Sequence, residues 1–307
     1  EGLKLSETAW VTTAGLTALL AGRLPNVEAI KHARELWANE PRVGLHRDEH
    51  TLTTGEGALY SSSYVRLRRG VALGVGIAGV QGKGKTGLVN ARTGLQKSLS
   101  GKITRLGEDV TKANPRQITE LGSAHVPEDR QADGLVLPFP VAENLVLCTY
   151  YKKPFAKGVL LQYPMILKNA EKLIEDFDIR TPNALTPVGS LSGGNQQKVI
   201  IARELSRPIK FLVASQPTRG LDVGSIEYIH KRIVQKRDEG CGVLLVSPEL
   251  DEIMELSDRV AVMFRGKIIA VVPNKGISKA YVGLFMAGIV PDQPIQFDET
   301  VVAEATL

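Results

Sequence analysis

Three short runs along the chain are apolar on consecutive rather than alternate positions: residues 71–79 (VALGVGIAG), 209–215 (IKFLVAS, with a single lysine) and 242–247 (GVLLVS). A strand covered on both faces reads this way, because neither row of its side chains meets water. A helical pattern follows each run, from Lys85, over 225–239 and over 248–256. Strands alternating with helices predict an α/β fold with a parallel core sheet. Short β-prone segments around Gly55 and Gly57 add a small antiparallel β portion. Scattered helical segments between 115 and 190, among them 165–177, are interrupted by Pro154, Pro164 and Pro182 and predict a helical subdomain. Residues 1–45 carry Trp10, Leu16, Leu19, Leu20, Ile30, Ala33 and Leu36 at helical spacing and read as an extension of one or two helices. Residues 291–307, acidic and containing proline, read as a loose tail, which leaves 46–290 for the main domain.

The first chemical signal closes the 71–79 run. Gly79-Val80-Gln81-Gly82-Lys83-Gly84-Lys85-Thr86, followed by Gly87, fits the phosphate-loop pattern G-x-x-x-x-G-K-[ST] in full, between a strand and a helix. Gly82 and Gly84 let the backbone turn tightly and come close to phosphate oxygens, while the loop N–H groups and the helix N-terminus supply donors. Lys85 is expected to neutralise β- and γ-phosphate oxygens, and Thr86 to offer its hydroxyl to Mg2+. A glycine turn that merely caps a helix is the plain alternative, and the strand before it weakens that alternative.

A second anion-binding signal lies at Leu191-Ser192-Gly193-Gly194-Asn195-Gln196-Gln197-Lys198, which opens a helix. Ser192 is a natural N-cap, and two glycines followed by asparagine leave backbone N–H groups bare. This segment resembles the signature motif of ABC transporter ATPases, in the form typical of sugar and nucleoside importers. The flanking stretches resemble the same family in the same order: His125-Val-Pro-Glu-Asp-Arg130, Val141-Ala-Glu-Asn-Leu145, Gln216-Pro-Thr-Arg-Gly-Leu-Asp-Val-Gly224, Ser247-Pro-Glu-Leu-Asp-Glu-Ile253 and Leu284-Phe-Met-Ala-Gly288. The resemblance runs over roughly 46–290 and is to the second cassette of tandem importer ATPases; residues 1–45 fit the end of a first cassette poorly.

The resemblance implies a P-loop NTPase fold that binds ATP and Mg2+. Two cassettes would stack head to tail, each ATP held between one phosphate loop and the other signature helix. Ser192, Gly193, Gly194, Asn195 and Gln196 would then meet the nucleotide of the partner cassette, and Asp222 would lie at the interface. Glu128, Asp129 and Arg130 would form a coupling loop toward the membrane subunit, a surface turn being the alternative. The implied partners are a second cassette, an integral membrane permease and, indirectly, a solute-binding protein, at the cytoplasmic face of the membrane. The segment Tyr150-Tyr-Lys-Lys-Pro-Phe155 looks slightly more like the nucleoside branch than the sugar branch.

The chain departs from the family where hydrolysis is done. The family carries Asp-Glu before Pro-Thr-x-Gly-Leu-Asp; Ser215 and Gln216 stand there. Serine brings no charge to a metal, and an amide can hold a water but cannot take its proton. Pro248 replaces the histidine that would touch the γ-phosphate, and it has no donor. Loss of a general base alone costs about 10²- to 10⁴-fold in rate, so this site is expected to bind ATP and barely split it. Second cassettes of the family often depart at the same positions, yet often have glutamine where Lys85 stands. A non-catalytic ATP-sensing regulatory domain is the rival reading. A ribosome-acting ABC protein is disfavoured, since that class carries intact Asp-Glu pairs.

Composition narrows the picture further. With 43% apolar and 23% charged residues, a core of ordinary size is available. The net charge of +5 is spread along the chain, and aromatics make up 5%, so neither a basic patch nor a base-stacking platform points to nucleic acid. Cys148 and Cys241 have no metal-ligand spacing and fit a reduced compartment. The apolar stretch 10–24 falls short of the roughly 20 residues a spanning helix needs, and Glu1 and Glu7 argue against a secretory leader. The missing initial methionine suggests a fragment or a processed chain. Glu249, Asp251 and Glu252 read as the acidic start of a helix, and His46 and His50 as exposed side chains without a metal partner.

Overall fold

The computed structural model describes residues 74–79, 84–105 and 108–289, and before them the backbone pairing of Leu45–His46 with Tyr64–Val65 and of Thr51–Thr53 with Leu59–Ser61. Both pairs are antiparallel, as is Thr104–Arg105 with Glu108–Asp109, which supplies the small antiparallel portion. The longer strands, with two short ones of a hairpin, are β1 Gly74–Ala78, β2 Ser123–Val126, β3 Ala156–Lys157, β4 Leu160–Leu161, β5 Phe211–Ser215, β6 Gly242–Ser247, β7 Arg259–Phe264 and β8 Lys267–Pro273. The helices are α1 Lys85–Thr93, α2 Pro115–Glu120, α3 Val141–Val146, α4 Tyr163–Asp176, α5 Gly193–Leu205, α6 Val223–Asp238, α7 Leu250–Leu256 and α8 Lys279–Met286. The chain forms two compact units, residues 1–115 with 244–307 and residues 116–243.

In the first unit β7 pairs in parallel with β1, Val260 facing Gly76 and Val262 facing Ala78. Gly76 is required there: a Cβ would stand 2.8 Å from Ile253 Cγ2 of α7, so helix and strand approach only over a bare Cα. Asp258, just before β7, accepts from the Gly74 amide at 2.6 Å and fixes where β1 begins. On its other side β7 pairs antiparallel with β8. This hairpin is not singled out by the apolar runs above. Its two-residue turn, Arg265-Gly266, has φ of 46° and 77°, the left-handed pair that suits tight hairpins.

In the second unit β2 and β5 are parallel, Leu212 facing Ala124 and Ala214 facing Val126. Around them stand α3, α5 and α6 with α4. Pro164, expected to separate helical segments ahead of the 165–177 pattern, stands in the first turn of α4, where a missing N–H costs nothing. Asn144, fully buried in α3, accepts from the Val136 amide at 2.9 Å and donates to the carbonyls of Val136, Phe139 and Pro140. One side chain thereby pins the whole loop that enters the helix.

The helix expected over 248–256 starts at Leu250, since Pro248 cannot continue a backbone-bonded turn and Glu249 is extended (ψ 108°). Asp251 and Glu252 do sit in its first turn. The extension 1–45, the tail 291–307 and the exposure of His46 and His50 lie outside the described residues.

Candidate nucleotide site

The phosphate loop belongs to the first unit, where Gln81, Gly82 and Lys83 lie outside the described residues. Its two ends are described. A Cβ on Gly79 would stand 2.6 Å from the Met263 carbonyl oxygen, so only glycine lets the loop leave β1 alongside β7. Gly84 has φ 101°, a left-handed conformation natural to glycine, and N-caps α1 without a side chain. The first amides of α1 therefore have no side-chain cap, and no acidic residue stands in its first turn. Lys85 is 4% exposed, and its ammonium donates to the Gly79 carbonyl at 2.5 Å, reaching back across the loop. Thr86 is exposed, and Gly87 is half-buried. Cationic head, bare helix start and open hydroxyl form the donor set a triphosphate needs.

The signature segment belongs to the second unit. Ser192 accepts from the Asn195 amide and caps α5. Asn195 is tied down further, its Nδ2 donating to Ser192 Oγ at 2.9 Å and its Oδ1 accepting from the Arg180 amide at 2.8 Å. Gln196 is buried and faces inward, donating to the Val188 carbonyl and accepting from Gln131 Nε2 at 3.0 Å. Ser192 is exposed, Gly193 half-buried and Gly194 buried. A Cβ on Gly194 would press on Ser225 Oγ and stand 3.3 Å from Asp222 Oδ2. Asp222 caps α6 through the Ser225 amide (2.9 Å) and hydroxyl (2.7 Å), which together hold its carboxyl below the usual range.

The loop Glu128–Asp129–Arg130 meets this helix start, a proximity the sequence did not announce. Arg130 Nη1 donates to the Arg219 carbonyl at 2.8 Å, and a Cβ on Gly193 would stand 2.8 Å from Arg130 Nη2. Arg219 in turn pairs with Glu128 at 3.3 Å. Asp129 turns away and caps the following turn through the amides of Gln131 and Ala132.

Ser215 ends β5 and Gln216 follows it, both buried, and Gln216 is held at φ 47°. A non-glycine residue in that region carries about 1–2 kcal/mol of strain. The next carbonyl, that of Pro217, accepts from Gln197 Nε2 of α5 at 2.7 Å. Gln197 was not among the expected site residues; its signal is a polar residue on a helix whose other faces read as core. Pro248, in the first unit, directly follows β6.

A buried charge group lies at the C-terminal end of α5. Burial opposes the ionised form of Glu204, but Arg203 (3.0 Å) and Arg207 (2.6 Å) outweigh it and hold the carboxyl below its ordinary value. Cys148 donates to Glu204 Oε1, and burial, with that carboxylate, pushes its thiol up to about 11; burial pushes Cys241 to about 11 as well. Both cysteines are free, and as neutral thiols neither is a nucleophile near neutral pH. Among the described residues no group of three His, Cys, Asp or Glu could hold a metal, and no helix is long and apolar enough to cross a membrane.

A phosphate loop between strand and helix, with a serine-capped diglycine helix start in the other unit, is the layout of a nucleotide-binding cassette. Residues 66–219, half of the chain, match the profile of the ABC transporter family, and the chain belongs to that family. Residues 5–110 also match a profile described as CRISPR-associated protein (Cas_Cmr3), which overlaps the first over its opening stretch. The chain is 51% identical over 214 residues to the guanosine import ATP-binding protein NupO of Bacillus subtilis, covering 70% of this chain and 42% of that one. It is 53% identical over 214 residues to the nucleoside import ATP-binding protein NupA of Lactococcus lactis, with the same coverage. It is 38% identical over 290 residues to the glucose import ATP-binding protein TsgD13 of Haloferax volcanii, covering 94% of this chain and 52% of that one. The chain thus spans about half the length of these relatives. The fold matches the dimeric ATP-binding cassette MJ0796 bound to ADP and Pi (TM-score 0.60, 22% identity, 76% of this chain and 99% of that one).

Proposed function

We propose that this chain is the ATP-binding half of an importer motor, working head to tail with a second cassette on an integral membrane permease at the cytoplasmic face, with a solute-binding protein delivering cargo. Nucleosides are the proposed cargo class, because identity to the nucleoside import relatives (51% and 53%) exceeds that to the sugar import relatives (38% and 37%).

The division of labour follows from the residues. Lys85, the α1 amides and Thr86 hold the triphosphate of this cassette, and Thr86 is the hydroxyl available to Mg2+. When bound, Mg2+ screens the charge that builds on the phosphates. Ser192, Gly193, Gly194 and Asn195 present the capped start of α5 to the partner's nucleotide, Gln196 holds that start in place, and Asp222 orients the opposite site. Glu128, Asp129 and Arg130 carry movement of the signature helix toward the permease, supported by the Arg130–Arg219 contact.

One observation carries the proposed asymmetry: β5 ends at Ser215 and is followed by Gln216, with no carboxylate between Glu204 and Asp222 to take a proton from water, while the start of α5 is intact. The own site is therefore proposed to bind ATP and to turn it over at least about 10²-fold more slowly than an intact cassette.

Two measurements test this. Gly193→Asp in the assembled transporter places a carboxylate where anionic phosphate is to dock, and ATP turnover should be abolished. Unchanged turnover rejects the head-to-tail role and leaves the ATP-sensing regulatory reading. Separately, ordinary cassette-rate hydrolysis by this chain alone rejects the impaired site.

A further inference from the structure

The helical unit carries an apolar tip that the nucleotide chemistry leaves unused. Strands β3 and β4 form a short hairpin, Lys157 facing Leu160 and Ala156 facing Leu161, turned at Gly158 (φ 63°). Ala156 is buried and seats the hairpin, whereas Val159 is 98%, Leu160 68% and Leu161 54% exposed. Nothing stands within 4 Å of where a Cβ on Gly158 would be, so the turn projects into open space. Tyr163 and Met165, in the first turn of α4, are exposed as well. Consecutive apolar side chains at a projecting tip are not the scattered exposure that a monomer surface tolerates.

The charges of the hairpin itself are cationic, and the acids nearby lie at its base, Glu143 accepting from the Tyr163 hydroxyl at 3.1 Å and Glu120 pairing with Lys152. From Asn144 through Ala170 the chain has no acidic residue, but it has Lys152, Lys153, Lys157 and Lys168. Lys152 pairs with Glu120 at 3.8 Å, while Lys153, Lys157 and Lys168 are exposed. Lys157 stands opposite Leu160, so its methylene stem can lie along the leucine while the ammonium reaches outward. Apolar apex, tyrosine at the shoulder and cations on the flanks match the layers of a bilayer surface: acyl boundary, interface, anionic headgroup.

We propose that this hairpin is a membrane-surface anchor, which sinks Val159, Leu160 and Leu161 to the headgroup boundary of an anionic bilayer and sets Lys153, Lys157 and Lys168 on lipid phosphates. The inference goes beyond the importer reading and does not depend on it, since it requires neither permease nor second cassette.

The test is flotation of the whole chain with vesicles of mixed phosphatidylglycerol and phosphatidylcholine, and of phosphatidylcholine alone. Binding is expected to the anionic vesicles, weakening with salt as screening shortens electrostatic reach. Val159→Asp with Leu160→Asp should lower the partition at least about tenfold, and Lys153→Glu with Lys157→Glu should remove most of the salt-sensitive part. Because the tip is exposed, thermal melting and nucleotide binding of both variants should match the parent chain. No flotation of the parent, or equal flotation of the aspartate variant, overturns the proposal. So does retained vesicle binding by that variant together with lost binding to a detergent-solubilised permease, which assigns the tip to a protein.

Discussion

The side chain of Gln197, buried in the signature helix, donates to the main-chain carbonyl of Pro217 at 2.7 Å. This bond ties the helix that faces the partner's nucleotide, in the proposed assembly, to the strand end where an acid is missing. Replacing Gln197 by alanine strands a buried carbonyl, which typically costs about 1–3 kcal/mol. Urea unfolding should record that loss, and a variant as stable as the parent would remove Gln197 from the architecture of the site.

Lys85 is the cation of the phosphate loop, and its ammonium folds onto the Gly79 carbonyl. A charge-assisted hydrogen bond is worth about 1.5–3 kcal/mol, so Lys85→Ala should weaken ATP binding by about ten- to a hundredfold. Titration with a fluorescent ATP analogue measures it directly. Undiminished affinity would mean that the loop amides alone hold the phosphates.

Glu204 and His125 give stability a pH dependence. Glu204 is driven below its ordinary value of 4.5 by Arg203 and Arg207 against the cost of burial, and His125 below 6.5 by burial. In both cases the unfolded chain binds the proton first, so stability is full above the ordinary value and is lost as pH falls through the lower, folded one. The urea midpoint should begin to drop below pH 6.5 and drop more steeply below pH 4.5. His125→Gln should flatten the upper limb only. Glu204→Ala, which leaves two guanidiniums without their carboxylate, should cost about 3–5 kcal/mol at neutral pH.

Gly194 packs its bare Cα against Ser225, the residue that Asp222 uses to cap α6. Gly194→Ala forces a Cβ onto that hydroxyl and should cost about 1–3 kcal/mol through overpacking. Removing the obstacle with Ser225→Ala should recover part of the loss in a double-mutant cycle. Strict additivity would mean that the two residues do not press on each other.

Much of the fold could be read from the chain because its signals are local. Glycines at 79 and 84 mark a turn no other residue makes, Ser192 and Asp222 cap the helices they precede, and unbroken apolar runs mark buried strands. The β7–β8 hairpin escaped because its strands show no clean alternation and its turn residue Arg265 takes a left-handed φ that arginine rarely adopts. Pro164 was legible because it stands just ahead of the 165–177 pattern, in a first turn where a missing N–H costs nothing.

Sequence by itself determined the chemistry on offer at each position: a lysine and a threonine after a glycine loop, an amide where a carboxylate would be needed. Tertiary structure alone decided which groups meet, since Arg130 reaches Arg219, Gln197 reaches Pro217 and Ala156 seats the exposed Val159 tip through contacts between elements distant in the chain or by burial. The reason is physical. Capping, turn geometry and charge are fixed over a few residues, whereas proximity and burial depend on how whole elements pack.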